Sequence, residues 1–130
     1  MPLKSVETIP ILRIFSVEKA IEFYIGFLGF REDWRHQFEG LSPVYMQVSR
    51  SGCVFHLSEH HGDCCPGSTV FASVTGLEDY YAEISARKYE NLRPCLERTF
   101  HQSIQMEVID PFGNRIRFDE SIEHVEPVEQ

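Results

Sequence analysis

Side chains that could bind a metal ion are concentrated in a short stretch near the middle of the chain. The stretch contains His56, Glu59, His60, His61, Asp63, Cys64 and Cys65. The spacing His56-x-x-x-His60 would place two ligands on one face of a helix, but the surrounding sequence is typical of a strand that runs into a polar loop. Adjacent histidines in such a loop are usually solvated. The pattern therefore indicates no metal centre by itself, and a loop site around His60 and His61 stays open.

The cysteines and the common catalytic motifs do not define a site either. The sequence contains no C-x-x-C pair, and adjacent cysteines rarely bridge each other. Reduced thiols are therefore expected rather than a zinc ribbon or a disulfide framework. Phosphate-binding glycine motifs of the G-x-G-x-x-G or Walker type are also missing. The four cysteines concerned are Cys53, Cys64, Cys65 and Cys95.

Composition and charge restrict the kind of partner. The chain has 130 residues, with 12 basic and 20 acidic side chains and a formal net charge of −8, which would repel a nucleic-acid backbone. No apolar run approaches the roughly 20 residues of a membrane-spanning helix, and the first residues lack a signal-peptide core. We therefore expect a cytoplasmic protein that binds neither nucleic acid nor membrane. A neutral or cationic small molecule suits this charge better.

The elements that would position the polar side chains occur twice along the chain. Residues 15–29 have apolar positions at helical spacing, and Ser16 can cap their start. The same pattern recurs after Thr75, which forms a capping-box sequence with Glu78. Each helix follows a β-like run and precedes further strand candidates. The strand candidates are residues 8–14, 44–49 and 53–59 in the first half, and 68–74, 103–109 and 115–120 in the second.

This duplication predicts an α+β fold built from tandem βαβββ modules. We expect one domain over residues 1–120, with module one at about 5–62 and module two at about 66–120, followed by an acidic tail at 121–130. Each sheet would bury one face under its own helix, and alternation along the strands assigns the faces. The opposite face would be a mixed polar and aromatic lining, suited to an amphipathic organic ligand. It collects Tyr45, Gln47, His56, Phe71, Gln105, Glu107 and Arg117.

Three segments resemble the vicinal oxygen chelate superfamily, which includes glyoxalases, bleomycin resistance proteins and extradiol dioxygenases. They are residues 9–30, which end in Leu28-Gly29-Phe30, then Thr75-Gly76-Leu77-Glu78, and Asp110-Pro111-Phe112-Gly113-Asn114. Within the superfamily the chain is most similar to the bleomycin resistance proteins, whose first strand also carries a proline at the position of Pro10. The resemblance implies a curved mixed sheet with a concave groove. It also implies a domain-swapped homodimer, in which the N-terminal arms cross between subunits.

The resemblance further implies where the superfamily's enzymes would hold a divalent metal. The corresponding positions here are Ile9, His56, Thr69 and Arg117, of which only His56 is a metal ligand. A catalytic site for zinc, iron or manganese needs about three protein ligands. Arg117 would place a fixed cation where the ion binds. We therefore expect neither a metal nor a cofactor.

Bleomycin resistance proteins bind and sequester a large cationic antibiotic with an aromatic tail. By resemblance, residues 34–40 and 97–105 border the ligand groove, where Trp34 and Phe38 could stack on a flat ring. Gln102 stands where the family commonly has a tryptophan, and Glu107 could face a cationic group or pair with Arg117. The expected ligand-binding residues are Trp34, Phe38, Tyr45, Gln47, His56, Phe71, Gln102, Glu107 and Arg117.

Two functions follow from these observations. The first is metal-independent binding and sequestration of a bleomycin-like cationic aromatic antibiotic, or of a similar small molecule, by a homodimer. The alternative is a metal-dependent glyoxalase, lyase or dioxygenase-like enzyme that uses His56 with a different set of ligands. The three superfamily positions that lack a metal ligand favour the first.

Overall fold

The structure, a computed structural model, describes residues 1–37, 43–87, 89 and 93–122. It contains two modules, each with a helix and a four-stranded mixed sheet. Module one comprises β1 (Ile11–Arg13), α1 (Val17–Ala20), a π-helical segment (Ile21–Phe27), β2 (Arg31–Gln37), β3 (Val44–Arg50) and β4 (Cys53–Ser58). Module two comprises β5 (Thr69–Ser73), α2 (Leu77–Ser85), β6 (Leu96–Arg98), β7 (Ser103–Ile109) and β8 (Arg115–Ser121). The predicted α+β fold with tandem βαβββ modules is confirmed.

The two sheets repeat the same strand order. Module one has the order β1-β4-β3-β2, and module two has the order β5-β8-β7-β6. The first and last strands of each module are parallel neighbours, and the other pairs are antiparallel. The register is also repeated, because Gln47 lies opposite His56 in module one and Glu107 lies opposite Arg117 in module two. Side chains at equivalent positions of the two modules can therefore be compared directly.

Alternation along the strands assigned the inner faces of the sheets, which pack against the helices. Neither β2 nor β6 received a range from the sequence, because β2 is exposed along most of its length and β6 is only three residues long. Neither helix, within the described part of the chain, has the length and apolar content to cross a bilayer. The inner-face residues with at most 3% exposure include Val44, Met46, Val48, Phe55, Leu57, Met106, Val108, Ile116 and Phe118.

The first helix begins as the sequence predicts and then widens. The Ser16 side chain accepts a hydrogen bond from the Lys19 backbone N–H at 3.1 Å and caps the first turn. The following segment is π-helical, and it ends where the Leu28 N–H donates to the Phe23 carbonyl at 2.8 Å. The predicted apolar stripe faces the core. Its members, none more than 2% exposed, are Ala20, Phe23, Tyr24 and Phe27.

The second helix starts differently from the prediction. Thr75 and Glu78 do not form a capping box, because Gly76 occupies the N-cap position with a φ of 75° and no side-chain hydrogen bond. Glycine adopts this left-handed conformation without the steric cost that a Cβ would bring. The Leu77 N–H instead donates to Glu120 Oε1 at 3.0 Å. The helix is therefore capped by a carboxylate from β8.

Residues of the turn between β7 and β8 form hydrogen bonds that connect the two modules. Asp110 Oδ1 accepts hydrogen bonds from the backbone N–H groups of Phe112 and Asn114, at 2.9 and 2.8 Å. Asp110 Oδ2 accepts from the Tyr24 hydroxyl of module one at 2.7 Å, and from Asn114 Nδ2 at 2.8 Å. Asn114 Nδ2 also donates to the Arg13 carbonyl at 2.8 Å. Because Asp110 is 4% exposed, this junction is a buried polar network with its acceptors occupied.

A second junction lies at the C-terminal end of the first helix. Glu83 of α2 binds Arg50 through both carboxylate oxygens and Arg87 through one, each at 2.7 Å. The Tyr80 hydroxyl donates to the Leu28 carbonyl at 2.6 Å. Hydrogen bonds from Arg50 and Arg87 lower the pKa of Glu83 to about 2. Module two therefore supplies partners for the end of the module-one helix.

Replacing Tyr24 with Phe tests the first junction. We expect the free energy of unfolding to fall by about 1–3 kcal/mol, because the buried Asp110 carboxylate loses a donor that water cannot replace. Urea unfolding followed by circular dichroism measures the change. Tyr81→Phe is the matched control, since Tyr81 also packs against the core and its hydroxyl makes no hydrogen bond to a described residue. Equal losses in the two variants would contradict this role of Tyr24.

Candidate functional site

The outer face of the module-one sheet carries a cluster of rings. Trp34 on β2 stacks on Tyr45 of β3, with ring centroids 6.1 Å apart and an interplanar angle of 10°. The imidazole of His56 on β4 stands edge-on to both, at 5.3 Å from Trp34 and 5.2 Å from Tyr45. Trp34 is 44% exposed, so its ring offers a flat surface to a ligand. We call the surface formed by Trp34, Tyr45, Gln47 and His56 the module-one face.

Both ring nitrogens of His56 have hydrogen-bond partners. Nε2 lies 2.9 Å from Gln47 Oε1, and Nδ1 lies 2.8 Å from the Tyr45 hydroxyl. Gln47 Nε2 donates to Asp33 Oδ2 at 2.9 Å, which fixes the amide oxygen of Gln47 as the acceptor toward the imidazole. His56 Nε2 therefore carries the proton, and Nδ1 accepts from Tyr45. Burial lowers the pKa of His56, which favours this neutral form.

Asp33 ends this chain of hydrogen bonds. Besides the bond from Gln47, its carboxylate accepts one from Arg31 Nε at 2.9 Å. Hydrogen bonds from Ser49, Gln47 and Arg31 lower the pKa of Asp33 to about 2. An ionised carboxylate therefore orients the Gln47 amide at neutral pH, and the amide in turn orients His56.

The module-two sheet carries charges at the equivalent positions. Glu107 on β7 corresponds to Gln47, and Arg117 on β8 corresponds to His56. Arg117 Nε donates to Glu107 Oε1 at 2.9 Å, and Arg115 Nη1 donates to Glu107 Oε2 at 2.7 Å. Hydrogen bonds from Arg117 and then Arg115 lower the pKa of Glu107. A neutral pair in module one thus corresponds to an ionic group in module two.

The remaining predicted ligand-binding residues lie nearer module two. Phe71 on β5 lies opposite Arg117 and is 58% exposed, and the His101 ring centroid is 6.5 Å from that of Phe71. We call the surface formed by Phe71, Glu107, Arg115 and Arg117 the module-two face. Gln102 is exposed in the turn before β7, where its backbone has a φ of 63°. Phe38 lies outside the described residues.

The predicted residues therefore fall into two groups. Trp34, Tyr45, Gln47 and His56 contact one another on the module-one face. Phe71, Glu107 and Arg117 are cross-strand neighbours on the module-two face. No hydrogen bond between described residues joins the two groups. Arg115 and Asp33 belong to these surfaces as well, and sequence reasoning did not select them. Strand alternation places Arg115 on the outer side, whereas Asp33 reaches Gln47 through a register shift between Glu32 and Trp34 that alternation does not predict.

The side chains at the superfamily's metal positions do not fit a chelated ion. His56 has both nitrogens hydrogen-bonded, and Arg117 places a cation beside Glu107. Ile9 has no donor atom, and a threonine hydroxyl such as that of Thr69 is a weak one. Among the described residues, no three His, Cys, Asp or Glu side chains are placed to share one ion, and this includes those in the loop after β4.

A cavity of about 730 Å³ lies between the two modules. Its walls come from the turn between β3 and β4, from β5 and from the start of α2, and they include Cys53 and Phe71. Two of its charged residues, Arg50 and Glu83, are bound to each other at 2.7 Å. Of the side chains selected from the sequence, Phe71 lines this cavity, whereas Trp34, Tyr45, Gln47, His56, Glu107 and Arg117 are not among its lining residues. The cavity was not predicted, because its walls come from segments that are distant along the chain.

The fold and these faces define a protein of paired βαβββ modules with an exposed, polar and aromatic sheet surface. A family model described as "Glyoxalase superfamily protein" matches residues 3–125. The chain therefore belongs to the glyoxalase superfamily, which confirms the resemblance seen in the sequence. No curated protein sequence matches the chain.

Solved structures share this fold at low sequence identity. A bleomycin-binding protein complexed with bleomycin is 16% identical with a TM-score of 0.70, and the match covers 90% of this chain and 99% of that one. The bleomycin-binding protein of Streptomyces verticillus, complexed with copper(II)-bleomycin, is 20% identical with a TM-score of 0.67, covering 90% and 97%. A putative glyoxalase family protein from Bacillus anthracis is 17% identical with a TM-score of 0.67, covering 93% and 98%. At these identities the likeness establishes the fold.

Replacing Gln47 with Glu tests the hydrogen bonds of His56. The introduced carboxylate should raise the pKa of His56, because a charged acceptor at Nε2 favours the imidazolium. In the wild type we expect that pKa to lie below the ordinary value of 6.5. A two-dimensional NMR titration of the ring measures both values, and Gln102→Glu, which adds the same charge on module two, is the control. A wild-type value at or above 6.5, or no rise in Gln47→Glu, would contradict the assignment.

Proposed function

We propose that this protein binds a bleomycin-like cationic aromatic antibiotic, or a similar amphipathic small molecule, without a metal and sequesters it. The observation that carries the proposal is the module-one face, where an exposed Trp34 stacks on Tyr45 beside a histidine with two bound nitrogens. Such a face can receive a flat ring by stacking. It does not offer His56 as a metal ligand or as a base.

Electrostatics support a ligand with a positive charge. The chain has a formal net charge of −8, which attracts cations over a distance of about 8 Å at physiological ionic strength. Asp33, with a pKa lowered to about 2, keeps a carboxylate next to the module-one face. A cation on a ring that stacks on Trp34 would therefore lie near an ionised carboxylate, which it would share with Arg31.

The solved structures support the same class of ligand. Two of the similar proteins are bleomycin-binding proteins whose structures contain bleomycin, one of them as the copper(II) complex. Their identity to this chain, 16% and 20%, is too low to transfer the ligand directly. The aromatic module-one face is the independent reason to test bleomycin first.

The proposal includes a homodimer formed by exchange of the N-terminal arms. Leu3 and Val6, which precede β1, are 99% and 97% exposed, and a second copy could bury them. Analytical ultracentrifugation should give twice the mass of the chain for the full-length protein. The variant Leu3→Ser/Val6→Ser keeps the length of the arm and should shift the equilibrium toward the single chain. A full-length protein that sediments as a single chain at micromolar concentration would contradict the dimer.

Titration calorimetry with bleomycin tests the proposed ligand and its site. We expect Trp34→Ala to weaken binding roughly ten-fold, because an aromatic stack contributes about 0.5–1.5 kcal/mol beyond the burial of its surface. Trp34→Phe retains a flat ring and should lose less. Thermal unfolding of both variants verifies that they are folded. Failure of the wild type to bind bleomycin would contradict the ligand, and equal affinity of Trp34→Ala and the wild type would contradict the site.

A further inference from the structure

We infer that the module-two face is an oxyanion subsite, and that the ligand of this protein carries a carboxylate or phosphate group next to a planar ring. The inference rests on the proposed function, since it assigns the second half of the proposed binding surface. It narrows the ligand class from any amphipathic aromatic molecule to one that also bears an oxyanion.

The first reason is the imbalance of charge on this face. Two guanidinium groups, those of Arg115 and Arg117, share the single carboxylate of Glu107. The three side chains therefore carry a net charge of about +1 at neutral pH, in a chain that is acidic as a whole. Asp119 lies on the same strand but is only 5% exposed, and it accepts hydrogen bonds from Ser103 and Gln105. Asp119 and the exposed Glu97, which pairs with Gln105, lie on the same side of the sheet but farther along β8 and on β6, so the excess of positive charge is local to Arg115 and Arg117.

The second reason is the set of donors that remain available. Arg117 uses Nε for Glu107, and its two terminal nitrogens make no hydrogen bond to a described residue. Arg115 likewise uses one terminal nitrogen. The side chains of Arg115 and Arg117 are 47% and 45% exposed, so a ligand can reach them. A guanidinium held along one side and open on another is suited to a two-point contact with a carboxylate or phosphate.

The third reason is the neighbouring aromatic ring. Phe71 lies directly across from Arg117 in the parallel pair β5–β8 and is 58% exposed. Its side chain points to the same side of the sheet as Arg117, because cross-strand partners share a face. A ligand that places an oxyanion on Arg117 would therefore rest its ring against Phe71. The module-one face differs, since both nitrogens of His56 are already bound there.

Four matched naphthalene derivatives test this inference: 2-naphthoate, 2-naphthyl phosphate, 2-naphthamide and 2-naphthylmethylammonium. They share the ring, and they differ in charge and in the kind of oxyanion. Saturation-transfer NMR and calorimetry give their affinities for the full chain. We expect naphthoate or naphthyl phosphate to bind about ten-fold more tightly than the neutral amide, because hydrogen bonds between ionised partners are stronger than those to a neutral acceptor, even after screening by salt. The comparison of the two anions shows which oxyanion the subsite prefers.

Arg117→Gln should remove the preference for the anions and leave the affinity for the amide nearly unchanged. Arg115→Gln should reduce the preference in part. Arg98→Gln is the matched control, because Arg98 is exposed on β6 of the same sheet but pairs with Ile104, on the opposite side from Gln105 and Glu107. A preference that persists in Arg117→Gln would overturn the inference. So would equal or weaker binding of both anions than of the amide, or no detectable binding of any of the four probes.

Bleomycin titrations of these variants and of Trp34→Ala separate this inference from the proposed function. If bleomycin does not bind while the anion preference depends on Arg117, the proposed ligand is wrong and the oxyanion subsite stands. If bleomycin binds in a Trp34-dependent manner while the anions show no preference, the proposed function stands and the oxyanion subsite is wrong.

Discussion

The buried carboxylate of Asp110 is the interaction on which the arrangement of the two modules depends. Its two oxygens accept four hydrogen bonds, two from its own turn, one from Asn114 and one from the Tyr24 hydroxyl of the other module. Burial raises the pKa of Tyr24 well above its ordinary range, so this hydroxyl is a permanent donor. Because β8 begins at this turn, the same network fixes where the strand that carries Arg115 and Arg117 starts. The buried hydrogen bonds of Asp110 therefore help to set the position of the module-two face relative to module one.

The two modules share the same strand order and register but carry side chains of different charge at equivalent positions. The pair Gln47–His56 is neutral and its hydrogen bonds are complete, whereas Glu107–Arg117 is ionic and shares its carboxylate with a second arginine. Neither pair resembles a set of metal ligands. An asymmetric surface of this kind suits a ligand with two chemically different ends, which is the common element of the proposed function and the oxyanion subsite.

The sequence predicted the parts of the fold that depend on local periodicity. Alternation along β3, β4, β7 and β8 assigned the inner and outer faces, and the repeated spacing revealed the two modules. The cap of α2 was assigned wrongly, because Glu120 reaches Leu77 from a strand 43 positions away and local capping rules do not consider such a partner. The junctions Tyr24–Asp110 and Arg50–Glu83 were not foreseen for the same reason. The π-helical widening left the buried stripe in place and so gave no signal in the pattern.

For the candidate site, the sequence predicted which side of the sheet a residue occupies but not which atoms form hydrogen bonds. Alternation along the strands placed Tyr45, Gln47 and His56 on one side of the sheet. Which of their atoms form hydrogen bonds depends on the register between β3 and β4. That register makes Gln47 a direct neighbour of His56, and the hydrogen bond that Gln47 Nε2 donates to Asp33 determines which nitrogen of His56 carries the proton. The difference between the neutral pair on the module-one face and the ionic group on the module-two face also depends on contacts between strands rather than on composition, which is acidic overall.

The metal content of the protein most directly tests the claim that this protein binds its ligand without a metal ion. The protein would be produced in medium supplemented with zinc, iron, nickel and manganese, purified without chelators and analysed by inductively coupled plasma mass spectrometry. Hydrogen bonds to both nitrogens of His56 and the cation at Arg117 predict far less than one metal ion per chain, with the same content in His56→Ala and in the control His101→Ala. About one ion per chain that is lost in His56→Ala and kept in His101→Ala would contradict the account.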